Sequence, residues 1–350
     1  MKNKIFEKGF TMKILNGVAI GSVVVLIPGA LLNEIFKALL PIFPQGQFIL
    51  TANAFAMTLM GVVVGVAVSM MFKFTPIQTA SVGMATALAS GAWKIGEEGS
   101  FILKGSGDII NMTLTATIAV IIILAIAHKF KAYAMLLTPT VVMIVAGGIG
   151  VLTLPYVQMI TGAVAVLISN LLDLQPMLMS ILVSMIFAMM IVSPLSTVGI
   201  ALAVNLSGVG SAAANVGITA AAFGLAITGW KANELGTKIA IMAGSPKMAM
   251  PNVLKNPKTM IPILANAAVS AIFIVLLNQQ GTPMSAGFGI SGLIGPINAI
   301  NLAGGWTLGN IANAVIAFMV VPIGLAIVFR KVFTEMKPVV DVEDYRIQVE

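Results

Sequence analysis

Apolar runs long enough to cross a bilayer recur almost from end to end of this chain, near residues 12–33, 48–72, 109–127, 134–152, 156–172, 177–192, 211–229, 259–277 and 307–329. A crossing helix needs about 17 to 25 predominantly apolar residues. In hydrocarbon every backbone N–H and C=O must find its partner inside the protein, so unbroken runs of this length are compatible with helices and with little else. Of the 350 residues, 59% are hydrophobic and 9% charged, and the mean hydropathy is +1.04; an ordinary soluble domain carries about 25% charged residues. The expected fold class is an all-α polytopic membrane protein. A soluble catalytic or binding domain would need a long polar stretch with its own core, and the sequence offers none.

Basic residues set the expected orientation. Lys2, Lys4, Lys8 and Lys13 precede the first run, and Arg330, Lys331 and Lys337 follow the last, which places both termini in the cytoplasm and makes the number of crossings even. About ten crossings satisfy the lysine positions if 75–93 crosses while 194–208, 239–252 and 286–304 are re-entrant or broken. A twelve-crossing path stays open, at the expense of exposing Lys231 to Lys258 outside. The net charge of +7 gathers at span ends, where it meets anionic lipid headgroups, so no nucleic-acid partner is expected. Met1 to Lys13 reads as an interfacial helix, with no cleavage site behind it. Cysteine is absent, which removes disulfides, thiolate nucleophiles and a phosphocysteine step from this chain. The single histidine, His128, sits beside Lys129 and Lys131 at a span end and reads as interfacial before it reads as a proton relay or phosphohistidine. No metal site and no cofactor are expected.

A polar phrase containing proline interrupts the apolar text twice. TPIQTASVGMATALASG occupies 75–91 and SPLSTVGIALAVNLSG occupies 193–208, each following a span and leading to another that ends in lysine. The order of parts repeats: span, proline break, small-residue segment closing in Ser-Gly, span, lysine. An inverted internal duplication is the expectation, with an N-terminal membrane repeat at 1–152, a C-terminal one with re-entrant segments at 153–330, and a cytoplasmic tail at 331–350. The tail alternates apolar and charged residues, and reads as solvated or as a strand that docks on a cytoplasmic partner. Residues 243–262 hold four prolines, so no uninterrupted helix is expected there. The glycine-rich 281–310 suits a hairpin that dips against the protein.

A polar break at membrane depth is costly unless it lines a protein-enclosed or aqueous site. The candidate solute-binding residues are therefore Thr75, Pro76, Gln78 and Thr79 of the first break and Ser193, Pro194, Ser196 and Thr197 of the second, with Asn205 and with Asn111 and Asn215 as contacts from the opposite copy. Carboxylates are nearly absent from the spans, which argues against a buried proton relay. Glu97 and Glu98 are the best-placed acidic contacts, although surface pairing with Lys94 or Lys104 is the simpler account of them. No catalytic residue is identified. Two readings stay open: a permease for a small polar solute working by alternating access, and a membrane-embedded sensor that binds a solute or lipid and reports through its tail. A lipid-handling or purely structural protein is a third.

The opening KIFEKGFTMKILNGVAIGSVVVLIPGALLNEIFK, the KFTPIQTASVG block and the AGSPKMAMPN block resemble a bacterial family of phosphotransferase-system EIIC-like permeases, also described as toxin-regulator membrane proteins. The similarity spans nearly the whole chain. The resemblance implies a sugar-permease body, a homodimer, in the cytoplasmic membrane of a bacterium. It also implies that any phosphoryl transfer falls to separate EIIA and EIIB partners, since the chain shows neither an EIIB-like domain nor a cysteine. The solute is left open.

Overall fold

The computed structural model describes residues 9–103, 105–130 and 133–347. The expected interfacial segment up to Lys8, together with Lys104 and Lys131, lies outside the described residues, as do the side chains of Glu34, His128 and Lys129. Among the described residues the regular structure is helical apart from one short hairpin, and the protein divides into two compact units, Met1–Ile160 and Thr161–Glu350.

In the first unit, α1 (Phe10–Leu39) packs on α3 (Met60–Met71), which follows α2 (Gly46–Thr58). Apolar helices in lipid gain little from the hydrophobic effect, so close packing of small residues has to hold them together. Gly17 and Gly21 provide it: a Cβ on Gly17 would stand 2.4 Å from the Cα of Val68, and one on Gly21 2.6 Å from that of Val64. The other face of α3 repeats the device. There Gly61 and Gly65 bring it against α4 (Pro76–Leu88), each with a hypothetical Cβ 2.8 Å from a Cα, of Ala87 and Gly83 respectively. An antiparallel hairpin, β1 (Trp93–Ile95) and β2 (Phe101–Leu103), then leads to α5 (Ile109–Phe130) and into α6 (Ala134–Leu172).

In the second unit, α7 (Pro176–Ile191) and the short α8 (Thr197–Ala203) precede α9 (Gly208–Thr228), which is buried along almost its entire length. Alanine and glycine let its neighbours come that near: a Cβ on Gly217 would lie 2.0 Å from the Ser184 carbonyl oxygen of α7. The chain continues through α10 (Leu235–Gly244), α11 (Met250–Lys255), α12 (Pro257–Leu276), α13 (Ile294–Leu302) and α14 (Leu308–Met336). Polar side chains tie the long helices together: Ser184 Oγ donates to Ala267 O at 2.9 Å, and Asn266 Nδ2 to Pro322 O at 2.9 Å.

Among the described residues five helices are long and apolar enough to cross a membrane, or six if the bent pair α2 and α3 is one span; Phe10–Leu26, Pro176–Ile191 and Leu235–Gly244 are shorter apolar pieces. Three expectations about spans change. Residues 134–152 and 156–172, expected as separate crossings, form one helix of 39 residues. Pro155 lies inside that helix without ending it, and about one turn earlier the Gly150 carbonyl accepts from Asn111 Nδ2 at 2.8 Å and Thr153 Oγ1 at 3.1 Å. Residues 75–93, expected to cross, supply only the 13-residue α4, about 20 Å long against a hydrocarbon core of about 30 Å. The run at 48–72 is bent by 50° where α2 meets α3.

The segment 240–259 is a succession of short turns, π at Ala240–Gly244, 3-10 at Pro246–Ala249, α at Met250–Lys255 and 3-10 at Pro257–Thr259, as its prolines require. The tail is neither solvated throughout nor a free strand. Val340 and Tyr345 are buried, and the 3-10 turn Val342–Tyr345 docks on the chain's own second unit. The alternating pattern was a sound signal of one buried face, but the face is covered intramolecularly.

Candidate functional site

Each unit contains one polar break, built in a different way. In the first, Lys73 takes a left-handed φ of 54° just past α3 and closes a Schellman stop, with Phe74 N donating to Ser69 O at 3.3 Å and Lys73 N to Met70 O at 3.0 Å. Thr75 then caps α4 in a reciprocal box: Gln78 N donates to Thr75 Oγ1 at 3.4 Å, and Thr75 N to Gln78 Oε1 at 3.0 Å. Pro76 sits at the first helical position, where its missing N–H costs nothing. Thr75 and Pro76 are exposed, and Gln78 and Thr79 half-buried. The break residues of α4 thus hold a helix start in place while facing outward from their unit.

In the second, α7 stops at Ile191, and Pro194, which has no N–H, prevents its continuation. Ser193 Oγ donates to Met190 O at 2.8 Å and accepts from Leu195 N at 3.2 Å. Ser196 caps α8, accepting from Gly199 N at 3.1 Å, and the buried Thr197 Oγ1 donates to Gly287 O at 2.9 Å. That last bond ties the break to the glycine-rich stretch, which presses directly on it: a Cβ on Gly287 would fall 2.5 Å from Val198 N. Asn205 is exposed at φ 50° and plays the Schellman part at the end of α8, with Leu206 N donating to Ala201 O at 2.9 Å.

Asn111 and Asn215 are fully buried, each inside its own unit. Asn111 Nδ2 donates to Ala89 O at 2.7 Å and to Gly150 O, and its Oδ1 accepts from Thr153 Oγ1 at 2.9 Å. Asn215 Oδ1 accepts from Gly289 N at 2.9 Å. Both asparagines fasten the segment after the break to the unit's core. Thr113, Thr115 and Thr117 all bond back to the carbonyl four residues earlier. Glu97 and Glu98 are exposed at the hairpin between β1 and β2.

One residue was missed by the sequence reading, which counted it only as an orientation charge. Lys247 is 2% exposed, and its Nζ donates to the carbonyls of Ser193 and Leu195 at 2.7 and 3.1 Å. The signal was its place inside a proline-broken apolar segment, where a solvated loop lysine is not expected.

Residues 12–347 of the chain match the family described as phosphotransferase system, EIIC. The chain belongs to the phosphotransferase-system EIIC family. Neither curated proteins nor solved structures give a significant match. Membership makes the protein an integral membrane protein of the transport component, as its apolar helices also require.

Proposed function

We propose that this EIIC-family protein is the permease for a small polar solute, a sugar or a related hydroxylated or anionic compound, and moves it by alternating access. The match of residues 12–347 to the EIIC family carries this reading. The two broken helices support it, because unwound backbone and half-helix ends are where carriers of this kind bind their cargo. The solute-facing residues are Thr75, Pro76, Gln78 and Thr79 in one repeat and Ser193, Pro194 and Ser196 in the other, with the buried Thr197 holding the second break against Gly287. Asn111, Asn215 and Asn205 hold the frame of these breaks, a role that their own hydrogen bonds and backbone favour over direct contact with solute. The exposed Glu97 and Glu98 are peripheral to it.

Phosphoryl transfer, where it accompanies transport, falls to separate EIIA and EIIB partners. The protein works as a homodimer in a bacterial cytoplasmic membrane with both termini inside. Uptake of a panel of labelled hexoses, disaccharides and polyols into proteoliposomes, with and without phosphocarrier proteins, tests the proposal; no uptake of any member under either condition would overturn it. The sensor reading predicts binding without flux in the same vesicles. A truncation before Val339 does not separate the two readings, because it removes the buried Tyr345 and disturbs the second unit in either case.

A further inference from the structure

The environment of Lys247 is unusual in one respect. A buried ammonium ordinarily needs a carboxylate or shifts toward its neutral form. Here, among the described residues, its partners are backbone carbonyls alone, those of Ser193 and Leu195, and no carboxylate pairs with it. These carbonyls flank Pro194, just past the last turn of α7, where the negative end of that helix dipole adds to their own. Met190 O there is already taken by Ser193 N and Ser193 Oγ, so the carbonyls of Ser193 and Leu195 are the ones left for Lys247. Unwound carbonyls at a half-helix C-terminus are the chemistry by which ion-coupled secondary transporters coordinate a monovalent cation.

We propose that Lys247 is a tethered counter-cation: its ammonium occupies the carbonyl site at Ser193 and Leu195 that would otherwise take a free monovalent cation, and so holds the second break in shape. The segment that carries it is suited to this. Ser245 Oγ accepts from Lys247 N at 3.2 Å and caps the 3-10 turn Pro246–Ala249, which fixes the base of the side chain. The protein therefore supplies at this break, from its own chain, the charge that an ion-coupled carrier takes from solution. Lys247 is in this sense a positioning residue. Its consequence for solute uptake rests on the permease reading; its consequence for the geometry of the break does not.

The test uses the full chain purified in detergent. Thermal unfolding of wild type, Lys247→Ala, Lys247→Met and Lys247→Arg is followed at constant ionic strength in chlorides of sodium, potassium, methylammonium and N-methylglucamine. Wild type is expected to be indifferent to the cation. Lys247→Ala is expected to unfold several degrees lower and to be raised again by sodium, potassium or methylammonium but not by the bulky N-methylglucamine. Lys247→Arg, which keeps charge and donors, should stay nearer wild type than Lys247→Met. A Lys247→Ala midpoint equal to wild type, or lowered and insensitive to every cation, would overturn the proposal. Should Lys247→Ala fail to accumulate, equal midpoints for the Arg and Met variants would do so instead. In proteoliposomes, uptake by Lys247→Ala should acquire a dependence on the small cation that wild type lacks. If wild type transports nothing, the permease reading fails while the thermal comparison still judges the tether.

Discussion

The Tyr345 hydroxyl donates to the carbonyl of Thr259 at 2.8 Å, across 86 positions of sequence, and both residues are buried. This bond fastens the C-terminal turn beneath the start of α12. Asn233 completes the strap from the loop after α9: its Nδ2 donates to Tyr345 O at 2.8 Å, and its Oδ1 accepts from Ile347 N at 2.8 Å. Asn252 of α11 bonds to the carbonyl of Asp344 from a third segment. A stretch with the composition of a tail thereby becomes a clasp on three segments of the second unit, the loop after α9, α11 and the start of α12.

Tyr345→Phe removes the hydroxyl and its bond to the Thr259 carbonyl, which is expected to lower stability by about 0.5–1.5 kcal/mol. Burial, and then the charge of Asp344, push the Tyr345 phenol above its ordinary value of 10.0. A raised folded-state value means that the contribution is complete below about pH 10 and is lost as pH rises further. Unfolding midpoints from pH 8 to 11 should fall more steeply at the alkaline end for wild type than for Tyr345→Phe. Parallel curves would refute the assignment.

Gly17→Ala places a Cβ 2.4 Å from the Cα of Val68, an overpacking expected to cost about 1–3 kcal/mol. Gly162, on α6, has nothing within 4 Å of the same hypothetical atom, so Gly162→Ala should be neutral or stabilising by up to about 1 kcal/mol. Yield and thermal midpoint of the two variants, compared side by side, check the α1–α3 packing.

Asn111→Ala should behave as a folding defect and not as a selective transport defect. It strands the buried carbonyl of Ala89 and removes one partner each from the Gly150 carbonyl and the Thr153 hydroxyl, which keep their bond to each other, and a loss of about 1–3 kcal/mol is expected. Normal stability with abolished uptake would place Asn111 on the solute instead.

Thr75→Ala loses one half of the capping box of α4, at a cost of about 0.5–2 kcal/mol, and Gln78→Ala the other half. A solute-binding role adds a second signature. At temperatures well below unfolding, both variants should bind or transport the solute more weakly than a control cap change at Thr307, which caps α14. Equal activity in all three would confine Thr75 and Gln78 to capping. Charge-neutral replacement of the exposed Glu97 and Glu98 is expected to change stability by no more than about 0.5 kcal/mol.

Much of this was readable from residues alone. The apolar runs identified most of the long helices, because a membrane segment has to satisfy its backbone locally and its length is set by the bilayer. Both proline breaks were visible, as was the irregular course of 240–259. A further parallel was written in the sequence and passed over. Asn111 and Asn215 each precede by four residues a threonine, Thr115 and Thr219, whose hydroxyl bonds the asparagine carbonyl at 2.8 Å. Pro155 misled in the other direction. It reads as a stop, yet α6 runs through it.

The sequence by itself determined that this protein is helical, lies in a membrane and is interrupted twice by polar proline turns, because composition, span length and proline chemistry act over neighbouring residues. Only the tertiary structure decided what those turns rest on: Gly287 and Lys247 at the second, a self-contained capping box at the first, and Tyr345 beneath Thr259. A buried hydrogen bond or a tethered charge depends on which distant backbone groups are left without partners, and that is known only once the helices are packed.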